Sequence, residues 1–157
     1  MRYACLDTAA MCRLLLRNPM LRDSLDALIR IHRGDDGGSG LLDVVAEGVT
    51  SAKRQLLFIA ADGAPSTSGA VHSMMRVQVA PGTCEVSLVH TAAAMRGRGV
   101  ATRLMAFAIR KCRAMAGRSC QLTLEVDPTN LAAVRLYERA GFVVTDRRRH
   151  KMALALF

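Results

Sequence analysis

Apolar positions recur three and four residues apart through most of the first third of the chain, which is the period of an amphipathic helix. A short strand precedes them, and Asn18-Pro19 interrupts them because proline disfavours helix at the residue before it. The run from Gly34 to Gly40 has the composition of a loop. The predicted elements are a strand over 2–6 and helices over 8–17, 20–32 and 41–51. The helical apolar stripe consists of Leu14, Leu15, Leu21, Leu25, Leu28 and Ile29.

From Gln55 the pattern changes to the strand period of two, in three runs at 55–61, 70–80 and 83–91. A loop over 62–69 follows the first run, and Pro81-Gly82 makes a tight turn after the second. Short connections of this kind join neighbouring antiparallel strands. The three strands are therefore predicted to form an antiparallel meander.

The next helix begins after Gly99 and is predicted to end at Gly117. Its apolar face consists of Ala101, Leu104, Met105, Ala108, Ile109 and Cys112. A strand over 120–126 follows, and the strand–helix–strand order predicts that it lies parallel to 83–91 through a right-handed crossover.

The last part of the chain predicts one more helix and a hairpin. Asp127 or Thr129 is expected to cap the helix, which runs to Ala140, where Gly141 supplies the C-terminal stop. Strands over 142–148 and 151–157 then form the closing hairpin. The predicted fold class is therefore a mixed arrangement of helices and strands, α/β or α+β.

Composition indicates a single domain in the cytoplasm. The 157 residues suffice for one domain with a buried core, which we expect to span 1–157. Although 51% of the residues are hydrophobic, no apolar run approaches the ~20 residues of a membrane span, and the N-terminus lacks the pattern of a secretory signal. The five cysteines are odd in number and without a C-x-x-C pair, which favours reduced thiols over disulfides or a metal site.

The formal net charge of +9 is unevenly distributed. Basic residues concentrate from Arg96 to the end of the chain, whereas acidic residues prevail between 23 and 47. A basic half suits a polyanionic ligand, either a nucleic acid or a phosphorylated cofactor. An aromatic content of 4% without tryptophan makes nucleic acid the weaker choice, because few side chains can stack on bases. A merely solvated basic face also remains open.

The most informative stretch is Arg96-Gly97-Arg98-Gly99-Val100-Ala101, between a predicted strand and a predicted helix. The first turn of a helix leaves its N–H groups unpaired, and glycines let a phosphate approach them closely. The alternatives are a solvated loop or a dinucleotide site. The dinucleotide motif is incomplete, because Thr102 stands where a third small residue is expected and the chain does not begin with a βαβ unit.

Two motifs together resemble the GNAT superfamily of acetyl-CoA-dependent N-acetyltransferases. The stretch from Arg96 to Ala101 matches that family's pyrophosphate motif, Gln/Arg-x-x-Gly-x-Gly/Ala. The stretch from Asn130 through Tyr137 to Phe142 matches its second motif, Asn-x-x-Ala-x-x-Leu-Tyr-Glu-x-x-Gly-Phe. One helix and one strand separate the two, as in the family, and the resemblance covers about 55–157.

The resemblance implies a mixed sheet of six or seven strands flanked by helices, in which the two parallel strands splay apart around acetyl-CoA. No metal is implied. Backbone groups of one strand would bind the pantetheine arm like an added strand, and the glycine motif would hold the pyrophosphate. The implied cofactor-binding residues are Val89, His90, Thr91, Arg96, Gly97, Arg98, Gly99, Val100, Ala101, Thr102 and Asn130.

The family's chemistry is direct attack of an amine on the acetyl group in a ternary complex. Tyr137 matches the general acid, whose hydroxyl protonates the leaving thiolate, although it could instead only pack on its helix. Glu85, eleven residues before Arg96, and Glu125, five before Asn130, occupy positions where different members of the family place the general base. His90 is a third candidate base, and each of the three has a structural alternative.

The expected acceptor is an amine, and these motifs do not decide between a small-molecule amine and a protein amine. Enzymes of the family that act on protein N-termini carry a tyrosine pair in the final hairpin, but 147–151 is Arg-Arg-Arg-His-Lys here. These basic residues could bind an acidic substrate or only keep the hairpin soluble. Within the acidic region 23–47, the segment from Asp35 to Glu47 could select a cationic amine or only solubilise a glycine-rich loop. We expect a monomer or homodimer without membrane contact. The alternative functions are an acyl-CoA-binding regulator without catalysis and a basic nucleic-acid-binding domain.

Overall fold

A seven-stranded sheet forms the centre of the computed structural model, which describes residues 1–33, 40–63, 69–116 and 120–156. Within these ranges the strands are β1 (Arg2–Asp7), β2 (Arg54–Ala61), β3 (Val71–Ala80), β4 (Thr83–Thr91), β5 (Cys120–Glu125), β6 (Val143–Asp146) and β7 (Lys151–Leu156). Across the sheet they lie in the order β1-β2-β3-β4-β5-β7-β6, and β4–β5 is its parallel pair. The predicted mixed sheet, its antiparallel meander and its parallel crossover are confirmed.

Helices cover both faces of the sheet. They are α1 (Thr8–Arg17), α2 (Pro19–Arg33), α3 (Leu41–Thr50), α4 (Val100–Ala116) and α5 (Leu131–Arg139). The first three pack on one side, here called the α1–α3 face, and the last two on the other, the α4–α5 face. Of the helices in the described ranges, none combines the length and the apolarity that crossing a bilayer requires.

Alternation along the central strands gives each face its own core. On β2, Leu56 and Phe58 join the α4–α5 core, whereas Leu57 and Ile59 join the α1–α3 core. All four are at most 2% exposed, so this strand is buried on both sides. The predicted stripe of α2 is buried too, and its burial of apolar surface holds the helix layer on the sheet.

The parallel strands β4 and β5 pair over only part of their length. The paired residues are Thr83 with Gln121, Cys84 with Leu122 and Glu85 with Thr123. Beyond them, 86–91 and 124–126 have no pairing with each other in the described residues. We call the space between these two segments the β4–β5 gap. It is the splay that the family resemblance implies, and it leaves backbone groups available on both strands.

A β-bulge interrupts β4 next to the gap. Met74 pairs with His90 and Arg76 with Ser87, so β4 has one residue more than β3 in this interval. Leu88 has φ +51°, a left-handed conformation that costs energy for any residue except glycine. The extra residue therefore changes the face to which every later side chain of β4 points.

The packing shows this change of face directly. Before the bulge, Cys84 and Val86 point into the α4–α5 core. Strict alternation would place Leu88 there as well, but it packs in the α1–α3 core. Val89 then returns to the α4–α5 core, and His90 meets α2 on the opposite face.

One prediction about helix capping is wrong. Asn130, not Asp127 or Thr129, caps α5, because its Oδ1 accepts a hydrogen bond from the Ala133 N–H at 3.1 Å. Asp127 instead closes the preceding turn, since its Oδ1 accepts from the Thr129 N–H at 2.8 Å. The sequence offers three capping residues in succession, and the turn uses the first of them before the helix begins.

Other differences concern single positions. On α4, Val100 is buried at 1% exposure, whereas the predicted Ala101 is partly exposed. The strand predicted over 142–148 is shorter, since β6 ends at Asp146, where the side chain closes a turn. The predicted loop residues 34–39 and 64–68, the helix stop at Gly117 and the end of the final strand at Phe157 lie outside the described residues.

Candidate functional site

The turn between β4 and α4 exposes a row of backbone N–H groups. Gly97 and Gly99 both adopt the left-handed conformation, with φ +73° and +72°, which glycine enters without steric cost. A Cβ on Gly97 would meet nothing within 4 Å. The N–H groups from Gly97 to Thr102 have no hydrogen-bond partner in the described part of the chain, and Arg103 is the first to bond back, to Gly99 at 3.1 Å. The turn is an open cradle for anionic oxygens.

Three arginines surround this cradle. Arg96 donates from Nε to the Thr91 carbonyl at 3.1 Å, and Arg103 donates from Nη2 to the Arg98 carbonyl at 3.0 Å. Arg103 also donates from Nε to the hydroxyl of Tyr3 at 2.9 Å, which connects the turn to β1. Arg96, Arg98 and Arg103 form no ion pair with any described carboxylate. Their positive charge is therefore available to a phosphate group.

The three predicted β4 residues lie along the β4–β5 gap, but two of their carbonyl oxygens are already used. Ser73 Oγ donates to the His90 carbonyl at 2.8 Å, and Arg96 Nε donates to that of Thr91. A carbonyl oxygen has two lone pairs and can accept a second hydrogen bond. A ligand bound along Val89, His90 and Thr91 would thus share these oxygens with protein donors.

Asn130 caps the N-terminus of α5 and is the first residue of the second motif, and its amide nitrogen is available to a ligand. Its Oδ1 is committed to the cap, and its Nδ2 has no hydrogen-bond partner among the described residues. A cap and a ligand contact are therefore compatible in one side chain, because the two use different atoms.

Two substitutions of Asn130 should separate these roles. Asn130→Ala should lower stability by about 1 kcal/mol, which shifts the melting temperature by about 2–4 °C. Asn130→Ser keeps a capping oxygen, so the melting temperature should change little. If Nδ2 contacts acetyl-CoA, both variants should weaken its binding about threefold to tenfold, as measured by calorimetry. Unchanged acetyl-CoA binding in both variants would show that Asn130 only caps the helix.

Tyr137 lies in the α4–α5 core, at 6% exposure. Its ring meets Phe142 edge-on, with centroids 5.9 Å apart. The hydroxyl has no hydrogen-bond partner among the described residues, and burial raises the pKa of Tyr137 to about 12. The phenol is therefore protonated throughout the neutral range and has its proton free to donate.

Glu85 and Glu125 line one cleft on the α1–α3 face, beyond the cover of the helices. The cleft, here called the carboxylate cleft, has a volume of about 180 Å³. Its polar lining consists of Lys53, Gln78, Thr83, Glu85, Thr123, Glu125 and Lys151. Lys53 Nζ lies 3.5 Å from Glu85 Oε2, and Lys151 Nζ lies 3.3 Å from Glu125 Oε1. Both carboxylates are more than half exposed, so a ligand can reach them.

The bulge directs His90 toward the same face. Its Nε2 is buried without a hydrogen-bond partner in the described part of the chain, and its ring meets that of His32 on α2 edge-on at 5.9 Å. Burial lowers the pKa of His90, helped by His32 and Arg96, so the ring is neutral near pH 7. A buried polar atom without a partner costs about 1–3 kcal/mol, which marks His90 as a position that a ligand or water can satisfy.

The candidate acid and the candidate bases lie on opposite faces of the sheet. Tyr137 belongs to the α4–α5 face, whereas Glu85, Glu125 and His90 belong to the α1–α3 face. The β4–β5 gap connects the two faces. A group held in the gap therefore has a proton donor on one side and proton acceptors on the other, which is what direct transfer to an amine requires.

Much of the acidic segment is engaged within the protein. Three of its carboxylates, on the helices, form ion pairs with arginines. The pairs are Arg22–Asp23, Arg30–Asp26 and Arg76–Glu47. Asp35 and Asp36 lie outside the described residues. Attraction of a cationic amine by this segment thus stays a prediction, with fewer uncommitted charges than its composition suggests.

The basic tip of the final hairpin lies at the open end of β5. Asp146 Oδ1 accepts hydrogen bonds from the N–H groups of Arg148 and Arg149, at 2.8 and 3.2 Å. The Val126 N–H donates to the His150 carbonyl at 3.1 Å, which joins the tip to the end of β5. The tip is exposed, so its arginines are solvated. Arg149 and His150 line a separate depression that also includes Glu125.

The five cysteines form no disulfides, and the two on β4 and β5 offer no activated nucleophile. Cys84 and Cys120, on β4 and β5, lie with their sulfurs 3.3 Å apart. Burial raises the pKa of Cys120 to about 11, and a hydrogen bond with Cys112 together with burial raises that of Cys84. Both are thiols at neutral pH, and the thiolate is the reactive form. The described residues contain no cluster of His, Cys, Asp or Glu suited to a metal ion.

Four features of the site are not predicted by the sequence analysis above. Leu88 gives no local signal of a bulge, because nothing in an alternating strand marks the extra residue. The Tyr3–Arg103 contact joins residues far apart in the chain. Lys151 could have been found from its register, since it begins β7, the strand next to Glu125 on β5. Lys53 could not, because β3 separates β2 from the strand that carries Glu85.

The sequence from 38 to 142 matches the model of the acetyltransferase (GNAT) family. The match covers about two thirds of the chain and includes both motifs. No curated protein matches the sequence.

Solved structures of acetyltransferases share the fold over nearly the whole chain. An aminoglycoside 6'-N-acetyltransferase complexed with coenzyme A has a TM-score of 0.70 at 15% identity, covering 100% of this chain and 98% of its own. The ribosomal-protein-S18-alanine N-acetyltransferase from Escherichia coli has a TM-score of 0.64 at 15% identity, covering 99% and 93%. A variant of spermidine N-acetyltransferase from Vibrio cholerae has a TM-score of 0.62 at 15% identity, covering 99% and 95%.

Proposed function

The chain belongs to the GNAT acetyltransferase family, and on that premise we propose that it transfers an acetyl group from acetyl-CoA to an amine acceptor. The observation that carries the proposal is the cradle of unpaired N–H groups and uncompensated arginines at the start of α4, beside the β4–β5 gap. The similar structures include enzymes named for aminoglycoside, protein and spermidine acceptors. Because these acceptors differ, the acceptor of this chain has to be inferred from its own residues.

Acetyl-CoA supplies the activated thioester, and this chain's residues hold it at three places. Backbone N–H groups of Gly97, Gly99, Val100, Ala101 and Thr102, with the side chains of Arg96 and Arg98, bind the pyrophosphate. Val89, His90 and Thr91 bind the pantetheine arm along the gap, in the manner of an added strand. Asn130 Nδ2 provides a further contact. An open cradle, with no competing carboxylate among the described residues, supports this arrangement.

Direct attack by the acceptor in a ternary complex fits the groups around the gap better than a covalent enzyme intermediate. Cys84 and Cys120 are protonated and buried, so neither supplies a thiolate. Tyr137 donates its phenolic proton to the departing sulfur from the α4–α5 face. The amine approaches from the α1–α3 face, where the carboxylates and His90 are available to take its proton.

Glu125 is the best placed of the three candidate bases. It lies two residues beyond Thr123, the last residue of β5 that pairs with β4, whereas Glu85 belongs to the paired part of β4. We expect Glu125→Gln to lower kcat about 10²-fold, the lower end of the general-base range, because an exposed carboxylate acts partly through water. Glu85→Gln should change kcat by less than about threefold.

Steady-state rates for both variants across pH 6–9 test this assignment. A larger loss in Glu85→Gln would exchange the roles of the two carboxylates. If both variants kept full activity, the base would be His90, and His90→Gln would then be the variant with the lowered kcat.

A panel of amines assayed for free CoA thiol tests the proposed function itself. Release that depends on the amine, with the acetylated product seen by mass spectrometry, is the expected result. Binding of acetyl-CoA without release for any amine would indicate a regulator. Binding of DNA but not of acetyl-CoA would indicate the nucleic-acid-binding alternative.

A further inference from the structure

The carboxylate cleft presents charges of both signs in a fixed order across the sheet. Lys53 lies just before β2, Glu85 on β4, Glu125 on β5 and Lys151 on β7. Two negative charges thus occupy the middle of the cleft, and one positive charge flanks each side. Each carboxylate has one lysine close to it, Lys53 at 3.5 Å from Glu85 and Lys151 at 3.3 Å from Glu125, beside the space that a ligand would occupy.

Of the two lysines, Lys151 is the one next to the β4–β5 gap. Its register partner on β5 is Glu125, which lies past the paired segment of the parallel strands. Lys53 accompanies Glu85, at the paired end. An acceptor amine that reaches the gap from this cleft therefore passes Glu125 and Lys151 together.

The cleft is also small. Its volume of about 180 Å³ lies below the roughly 300–1,000 Å³ of sites for drug-sized ligands. A polyamine or an aminoglycoside would extend well outside it, and a second ammonium group would meet Lys151 at close range. A simple monoamine has no anionic group that could bind to Lys151. A molecule with an amine and a carboxylate a few bonds apart complements both charges.

We propose that the acceptor is a small amino acid, bound as a zwitterion with its carboxylate on Lys151 Nζ and its amine between Glu125 and the gap. This assignment rests on the proposed function and names its substrate class. The Lys151 ammonium has three donors, so it can bind the substrate carboxylate while keeping its contact with Glu125.

The transfer balances with the residues already assigned. The amine nitrogen forms a bond to the acetyl carbon, and the carbon–sulfur bond of the thioester breaks. The ammonium of the bound amino acid first gives one proton to Glu125, which leaves the neutral amine that attacks, and Glu125 releases this proton to solvent. The departing sulfur takes the phenolic proton of Tyr137, and the second proton lost by the nitrogen returns to Tyr137 through water, so one proton is released overall. The products are an N-acetyl amino acid and CoA.

Paired substrates test the inference in the wild-type enzyme. Each L-amino acid is compared with its amide, which keeps the amine and side chain but lacks the carboxylate charge. Lys151→Met should lower kcat/KM for the amino acids about fivefold to tenfold, through KM, and leave the amides within about twofold. Lys53→Met, the matched control, removes an equal charge from the far flank and should change both series by less than about twofold.

The two series distinguish this loss from damage to catalysis, because a weaker base would slow the amides as much as the amino acids. Lys151→Glu should reverse the preference, so that short diamines become better acceptors than amino acids. Equal losses in both series, or a larger effect of Lys53→Met, would overturn the assignment. Acetylation of amides or diamines in preference to amino acids by the wild type would also overturn it, while leaving the proposed function intact. No transfer to any series would count against the proposed function instead.

Discussion

Replacing Tyr137 with phenylalanine should lower kcat of acetyl transfer about 10²–10⁴-fold, the range of a general acid. The fold should tolerate the change, because the ring keeps its edge-on contact with Phe142 and the hydroxyl forms no hydrogen bond with the described residues. The melting temperature should therefore change little, since the variant loses no hydrogen bond to the described residues. Stopped-time assays of CoA release, with calorimetric titration of acetyl-CoA, measure kcat and affinity separately.

Tyr3→Phe is the matched control, because Tyr3 is the other tyrosine of the chain and also loses only a hydroxyl. Its hydroxyl accepts a hydrogen bond from Arg103 beside the cradle, so the variant should weaken acetyl-CoA binding about threefold and leave kcat nearly unchanged.

Since the pKa of Tyr137 is raised to about 12, the wild-type rate should show no alkaline decline up to about pH 10. Full kcat in Tyr137→Phe would return Tyr137 to a packing role.

The fold could be predicted largely from the sequence because its signals are local and agree with one another. Leu21, Leu25 and Ile29 have the helical period and are all fully buried. Pro81-Gly82 fixes the β3–β4 turn, where Gly82 has φ +75°. The cap of α5 could not be decided in this way, since Asp127, Thr129 and Asn130 all have the chemistry of a cap and only the turn geometry selects among them.

The geometry of the candidate site could be predicted where it lies in one continuous segment, and not where it depends on register. The cradle between β4 and α4 is such a segment, and its glycines show the left-handed backbone that the phosphate interpretation requires. The face on which His90 lies depends on one extra residue at Leu88, which the strand pattern conceals. The charge order of the carboxylate cleft likewise comes from pairing of strands far apart in the chain.

Replacing Gly99 with leucine should weaken acetyl-CoA binding by at least about 10³-fold, close to loss of detectable binding. A left-handed backbone costs a residue with a side chain about 1–2 kcal/mol. A Cβ would lie 3.1 Å from Arg103 Nη1, so the side chain that braces the turn would have to move. The N–H groups that follow would lose their alignment, and each charge-assisted phosphate contact is worth about 1.5–3 kcal/mol.

Gly82→Leu is the control that separates backbone strain from damage to the cradle. Gly82 also has a left-handed backbone, with φ +75° and nothing within 4 Å of an added Cβ, but it lies at the opposite end of β4. Both variants should therefore lose a similar amount of stability, whereas Gly82→Leu should bind acetyl-CoA as the wild type does. Calorimetry of the three proteins, with melting curves recorded in parallel, gives both quantities. Wild-type affinity in Gly99→Leu, or an equal loss in both variants, would show that the turn at the start of α4 does not hold the pyrophosphate.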